Sequence, residues 1–297
     1  LDLLQLPEVF VEAVRAAVAK KDGSIPVETI VLTATHTHTG PVLRPGTPGI
    51  PVNPETMTVE ETIAFLADRI SDGIVAAWKN LAPGEMSYGL DRNSIGFGRR
   101  VVYADGSARM YGSTNRPDFD NLEGMDDDDV GSIFFYDAQD QLKAVIVNVA
   151  CPSQVVEGRS AVNADYWLPV RNRLQARYGE KLVVLGWGSA AGDMSPRPLL
   201  HKAANARMRT LRGINEMEEL ARRIDLSVSQ TFDAAQKEKF AEPVLKHAAV
   251  TLQLPLSKIS EAQYEEARAA YENVLAQVEK DPGSAAKVAF MARDWHH

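Results

Sequence analysis

Two histidines two residues apart, in Thr35-His36-Thr37-His38-Thr39-Gly40-Pro41, are the residues whose types and spacing point most directly to chemistry. Imidazoles ligate metals and carry protons near neutral pH. They follow Ile30-Val31-Leu32, a branched apolar run that predicts a buried strand. Residues i and i+2 of a strand project from one side, so His36 and His38 are expected to face a single site. Gly40-Pro41 breaks the strand at once and leaves the pair at the mouth of a sheet, open to a metal or a substrate. Two threonine-spaced histidines on a half-exposed strand would read the same way, so the pair alone leaves both readings open.

A second stretch lies far downstream. Leu182-Val183-Val184-Leu185-Gly186-Trp187-Gly188 predicts another buried strand and runs into Ser189-Ala190-Ala191-Gly192-Asp193-Met194-Ser195-Pro196-Arg197. Small residues there let the backbone turn tightly and a ligand come close, with Asp193 and Ser195 expected on the loop. A serine beside a carboxylate is also ordinary turn chemistry. Together, and in this order, THTHTGP and GDMSPR resemble the neutral/alkaline, non-lysosomal ceramidase family, whose catalytic domain carries a THTHSGP-type zinc motif and a GD-x-SP motif with an essential serine.

That resemblance implies a zinc-dependent amidohydrolase acting on ceramide or another N-acyl substrate, secreted or periplasmic, and reaching a lipid substrate at a membrane surface. His36 would hold the zinc, His38 would help to steady the oxyanion, Ser195 would lie beside the metal water and the scissile carbon, and Asp193 would hold the loop. A similarly placed arginine of the family binds the substrate carbonyl oxygen, and this role falls on Arg99 in Ile95-Gly96-Phe97-Gly98-Arg99-Arg100. Physically, a fixed cation beside a carbonyl stabilises the charge that develops in amide hydrolysis. A pair of surface arginines is the other reading of the same residues.

The chain departs from the family at Asn148-Val149-Ala150-Cys151-Pro152-Ser153-Gln154, where relatives place a histidine ligand in an ACHP or ATHG segment. Pro152 takes that place and cannot bind metal. Cys151, one residue earlier, could substitute, since a thiolate is a good zinc ligand; a small buried hydrophobe is its alternative. The glutamate and tyrosine that the family supplies further on have no counterpart here. The ends at Leu1 and His297 read as cuts, so residues 1–297 are expected to form a single ceramidase-like catalytic segment truncated at both ends. Two other functions stay open: a zinc hydrolase of a small non-lipid amide or ester, and a non-catalytic binding protein on the same scaffold.

The elements that must position these groups are legible in part. Glu8 to Ala19 has helical apolar spacing through Phe10, Val11, Val14, Ala17 and Val18. Thr58 to Asn80 repeats it through Ile63, Leu66, Ala67, Ile70, Ile74 and Trp78, with Glu60 and Glu61 in the first turn. Strands are expected at Met86–Leu90, Val130–Tyr136, Lys143–Val149 and Leu245–Leu256, and helices from about Trp167 to Tyr178, where Asp165 suits the N-cap, and from Ser260 to Lys280. The fold expected is therefore α/β, with mixed sheets flanked by helices. Five prolines between Gly40 and Pro54 stiffen a loop that would wall the site. Asp126-Asp127-Asp128-Asp129 lacks the spacing and turn glycine of a calcium loop and reads as a solvated run.

Composition sets the outer bounds. At 297 residues, 45% hydrophobic and 24% charged, the chain suits one large globular domain or two small ones. A net charge of -8 without a Lys/Arg cluster argues against a nucleic-acid partner. No apolar stretch approaches the ~20 residues of a membrane span, and the single cysteine excludes an intrachain disulfide.

Overall fold

The structure, a computed structural model, describes residues 1–44, 55–248, 250–256 and 258–280. Four of the prolines expected to wall the site, from Pro45 to Pro54, and the terminal histidines lie outside them. The described residues fall into two compact units, Leu1–Leu43 with Thr62–Val244, and a second drawn from 44–61 and the chain after Val244. The first holds every candidate site residue.

Helix α1 (Glu8–Lys21) buries Phe10, Val14 and Val18, the i, i+4, i+8 stripe of the sequence pattern. Helix α2 (Val59–Lys79) opens on a capping box in which the Thr58 hydroxyl accepts from the Glu61 N–H at 3.1 Å and the Thr58 N–H donates to the Glu61 carboxylate at 2.8 Å. Seven strands follow: β1 (Gly84–Arg92), β2 (Phe97–Gly98), β3 (Arg100–Tyr103), β4 (Ala108–Met110), β5 (Phe119–Leu122), β6 (Asp129–Asp137) and β7 (Leu142–Val149). Then come α3 (Trp167–Tyr178), β8 (Val183–Gly188), β9 (Met194–Ser195), α4 (Lys202–Arg212) and α5 (Glu216–Ala235). The second unit contains α6 (Glu261–Lys280), whose first turn is closed by reciprocal bonds between Ser260 and Gln263 at 2.8 and 3.3 Å.

The main sheet has the order β1-β6-β7-β8, antiparallel until the last pair, where β7 and β8 run parallel. A parallel join requires a crossover, and the segment 150–182 with α3 supplies it. Strict alternation along β6 and β7 sends Val130, Phe134, Tyr136, Val145, Val147 and Val149 to one face, where they pack with Tyr166, Trp167, Val170 and Leu174 of α3 and its approach, and with Leu220, Ala221, Ile224 and Val228 of α5. Gly186 of β8 is there for close approach: a Cβ on it would lie 2.5 Å from the Trp167 ring. Arg173 to Glu218 and Arg177 to Asp225 tie α3 to α5 at 3.0 and 2.8 Å. Val101, Tyr103 and Leu199 form a smaller cluster behind the sheet β4-β3-β5. No helix among the described residues is long and apolar enough to cross a membrane.

Three elements differ from the sequence pattern. Ile30 to Thr37 forms no strand; after a 3₁₀ turn at Val27–Thr29 the chain joins no ladder. Leu182 to Gly188 is a strand at the edge of its sheet, with Val183 and Leu185 about half exposed rather than buried. Of the stretch from Leu245 to Leu256, the described residues form no strand, and Leu245, Leu252, Leu254 and Leu256 are exposed. The first and third have apolar runs of strand-like propensity, but a strand exists only where a neighbour accepts its hydrogen bonds; the second has a neighbour on one side only, which leaves it a strand at the edge.

Candidate functional site

The histidine segment is anchored by its threonines. Thr37 and Thr39 are buried and both hydroxyls donate to the Asn163 carbonyl at 2.9 Å, while the Thr35 hydroxyl donates to Asp2 at 3.2 Å and the Thr35 backbone carbonyl accepts from the Ser153 N–H at 3.3 Å. With the threonines inward, both imidazoles turn outward together. His36 reaches this position with φ of 61°, in the left-handed region that a side chain rarely adopts. The pair therefore shares a face, as the alternation predicts, without the strand that was expected to impose it.

The ring nitrogens are individually assigned by their partners. His36 Nδ1 donates to the Leu4 carbonyl at 2.9 Å, and His38 Nδ1 faces the Glu157 carboxylate at 3.5 Å. Both Nε2 atoms are then acceptors, and they lie 3.3 Å apart with the rings edge to face. His38 Nε2 also lies 2.8 Å from the Gln154 amide nitrogen. Burial, then the nearby His36 and Arg99, hold the His38 imidazole below its usual pKa, with Glu157 opposing, which keeps the ring neutral.

Three further segments close around the pair. Arg99 donates from one guanidinium nitrogen to the Gly192 carbonyl at 2.6 Å and from the other to the Tyr111 hydroxyl at 3.1 Å, while a longer 3.4 Å contact reaches Gln154 Oε1. Its backbone N–H donates to the Asp193 carbonyl at 3.0 Å. Beside it, Phe97 and Gly98 of β2 pair with Ser195 and Met194 of β9. The glycine at 96 permits contact rather than an unusual backbone, since a Cβ there would meet the Ala150 carbonyl at 2.2 Å. Arg197 completes the frame, binding Glu157 at 2.7 Å and the carbonyls of Gln154 and Val155 at 2.9 Å each. The GDMSPR loop thus reaches the histidine pair along two side-chain paths, Arg99 to Gln154 to His38 and Arg197 to Glu157 to His38.

Ser195 is not on an open loop. It is 1% exposed in β9, and its Oγ accepts from the Arg197 N–H at 3.1 Å. Asp193 is exposed and contributes its backbone carbonyl. Arg100 turns away to an ion pair with Glu123. Cys151 does not join the pair: it is 1% exposed within the main core, its Sγ lies 3.6 Å from the Pro152 carbonyl, and burial pushes its thiol far above the usual range. It ends the inward-facing series of β7, and that places sulfur among hydrocarbon rather than beside imidazole. Asp165 does not cap α3, whose N-cap is Tyr166 without a side-chain bond. Instead it is buried at φ of 53° and accepts from the Val156 and Tyr166 N–H groups at 2.9 and 2.8 Å, pinning the loop that carries Gln154 and Glu157. Tyr166 and Trp167 are core. His201 is exposed at the head of α4. Gln154, Glu157 and Tyr111 carry no sequence signature of their own; only the departure at the CPSQ segment drew attention to Gln154.

A divalent metal implied by the family resemblance can be tested against these donors. The two Nε2 atoms lie 3.3 Å apart. Zinc–nitrogen bonds of about 2.0–2.1 Å in a tetrahedral shell set ligand nitrogens about 3.3–3.4 Å apart. The separation of the pair matches that of two zinc ligands, and both Nδ1 atoms have partners of the kind that orient such ligands, but His38 Nε2 now faces the Gln154 amide at 2.8 Å, which would have to turn away for that nitrogen to bind metal. Among the described residues no third His, Cys, Asp or Glu joins them.

Comparison with known proteins bears on the architecture. No family model and no curated protein matches the sequence. Among solved structures, the neutral ceramidase from Pseudomonas aeruginosa is similar at a TM-score of 0.59 and 18% identity, over 80% of this chain and 36% of that one. A ceramidase complexed with C2 is similar at a TM-score of 0.57, also with 18% identity, 80% and 36% coverage. This chain has the mixed α/β fold of those ceramidases and spans 36% of their length.

Proposed function

We propose that this chain is part of a metal-dependent hydrolase that cleaves the amide bond of an N-acyl substrate, ceramide-like or smaller. The observation that carries the reading is the convergence of two oriented imidazoles and a guanidinium, from residues 36, 38 and 99, on a fold shared with ceramidases. His36 and His38 would hold the zinc through Nε2, with further ligands from outside the described residues. When bound, zinc supplies an activated water at neutral pH and polarises the acyl carbonyl.

The remaining work falls to side chains. Arg99, already held by Gly192 and Tyr111, presents a fixed cation to the oxygen that gains charge as the carbonyl is attacked. Glu157 keeps His38 in the tautomer whose Nε2 accepts, and Arg197 keeps Glu157 in place. Water oxygen joins the acyl carbon, the carbon–nitrogen bond breaks, and the amine leaves with a proton. Ser195, buried in β9 with its Oγ on the Arg197 N–H, would have to turn that hydroxyl toward the acyl carbon to orient the attacking oxygen.

The full-length protein would be analysed for zinc and assayed with ceramide, short N-acyl amines and simple esters, beside His36→Ala and Ser195→Ala. Zinc at one or more equivalents, lost in H36A, and amide hydrolysis lost in both variants are expected. Undiminished zinc in H36A would remove the metal assignment. Absence of both metal and turnover would favour a non-catalytic binding protein, a reading to which the missing third ligand among the described residues lends support. Gln154, where relatives keep a histidine nearby, motivates a further expectation: ceramide is a poor substrate compared with other N-acyl compounds.

A further inference from the structure

Beside the site lies a cavity of about 480 Å³ lined by Tyr111, Arg197, Leu199, Lys202, Arg209 and Glu216, among others. Its volume is that of a small-molecule site. It shares two residues with the network around the histidines, since Tyr111 accepts from Arg99 and Arg197 holds Glu157. A molecule whose amide sat against Arg99 would therefore extend into this space.

The lining is unusual for this chain. Its net charge is -8, yet α4 carries Lys202, Arg207, Arg209 and Arg212 and no acidic residue. Lys202, Asn205, Ala206 and Arg209 recur at i, i+3, i+4 and i+7, one stripe of the helix, and this stripe faces the cavity. Arg212 is committed to Glu219 and Arg197 to Glu157, whereas the side chains of Lys202 and Arg209 form no ion pair among the described residues. Lys202 stands in the first turn of α4, where a helix disfavours a cation and no side chain caps the free N–H groups. The one carboxylate in the lining, Glu216, occupies the first turn of α5, a position its own helix favours. Apolar Leu199, Pro198 and the Tyr111 ring form the rest of the wall.

We infer that this cavity takes a carboxylate carried by the substrate, so that the amide cleaved is that of an N-acyl amino acid or a similar acyl anion. The inference rests on the amidase reading of the neighbouring site. Lys202 and Arg209 bind the carboxylate, Leu199 and Tyr111 cover the adjoining carbons, and Arg99 takes the amide oxygen. A neutral ceramide headgroup would leave both cations without a partner.

The test compares N-hexanoylglycine with its methyl ester, which differ in the charge and one methyl group. Equilibrium binding to the full-length protein carrying Ser195→Ala would be measured by calorimetry, and kcat/KM by amine release from the parent. The acid is expected to bind about tenfold tighter than the ester, the size of one charge-assisted hydrogen bond. In Lys202→Met/Arg209→Met this ratio should fall to about one, whereas Arg207→Met, which removes one positive charge of the same helix outside the cavity, should preserve it. Equal binding of acid and ester overturns the inference, as does a ratio that survives the double variant. The parent comparison decides alone if that variant is recovered unfolded. Preferential acid binding without turnover of any amide would keep the anion site and defeat the amidase reading; turnover without acid preference would do the reverse.

Discussion

From Asp129 to Val149 the chain is held by ladder hydrogen bonds and by side chains that alternate between core and the opposite face. From Ala150 to Asp165 it has neither, and it is held by side chains gripping backbone: Arg197 on the Gln154 and Val155 carbonyls, Asp165 on the Val156 N–H, Thr37 and Thr39 on the Asn163 carbonyl. The first region is secured by burial and the second by specific polar bonds. Backbone strain follows the same division. Of the five described non-glycine residues with left-handed φ, His36, Tyr111, Asp165 and His201 lie in or beside the site, and only Asp140 belongs to a sheet turn. Strain of this kind persists where surrounding contacts over-determine the conformation. The core is thus expected to answer to volume and the site to lost partners.

Trp167→Ala should produce the largest effect, about 3–5 kcal/mol of lost stability, because it empties the space over Gly186 in the centre of the core. Denaturant unfolding would read it, and a loss below about 1 kcal/mol would mean that the ring is not the centre of the packing. Arg99→Met sharpens the contrast: kcat/KM should fall about a hundredfold to a thousandfold, while the unfolding midpoint stays near the parent's. A midpoint that dropped with activity would move Arg99 to a structural role.

A third variant probes polar bonds placed inside the core region. Burial pushes the Glu219 carboxyl up, but hydrogen bonds and charge from Arg222 and Arg223 outweigh it and hold the pKa at about 2, against an ordinary 4.5. A depressed carboxylate stabilises the fold above its unfolded pKa, and that stability disappears as pH falls toward the folded value. Glu219→Gln should therefore be about 2 kcal/mol less stable than the parent at neutral pH, with the gap closing between pH 4.5 and about 2. A gap independent of pH would indicate packing rather than charge. The smallest effect is expected from Asn215→Ala, which removes the side chain that accepts from the Glu218 N–H at 3.0 Å and caps α5. About 1 kcal/mol in thermal unfolding is the expected loss.

The same division explains what the sequence disclosed. Periodicity reports burial, so α1, α2, α3 and the central strands were legible within a few residues, whereas α6, exposed along almost all of its described residues, was legible from the capping box at Ser260. Periodicity was silent on Tyr111 and on Gln154 and Glu157, the last two of which depend on contacts across 40 to 116 residues of sequence. His36 and His38 were legible as a pair because threonines at 35, 37 and 39 turn inward, although the ladder expected to enforce that alternation is absent. Cys151 misled because metal chemistry was read from residue type, whereas its place at the end of β7 decided which way the sulfur points. Leu245 to Leu256 shows the remaining limit: alternation without a partner strand leaves apolar residues exposed.

The parallel join of β7 to β8 has a consequence for how such a protein can diversify. Both strands end on the same side, and the Ser189 N–H bound to the Val149 carbonyl at 3.0 Å fixes the spacing at which their two loops depart. Open sheets offer ligands the region beyond such carboxyl ends. The loop from Ala150 and the loop from Ser189 can therefore exchange residues, lengthen or acquire a different specificity while the hydrophobic registers behind them remain undisturbed. A lineage could replace a histidine near 152, or redirect the cavity along α4, by changes confined to the rim. Chemistry and foldability would then be inherited separately, and a sequence could lose most of its identity to its structural neighbours while the frame that aims its reactive groups survives.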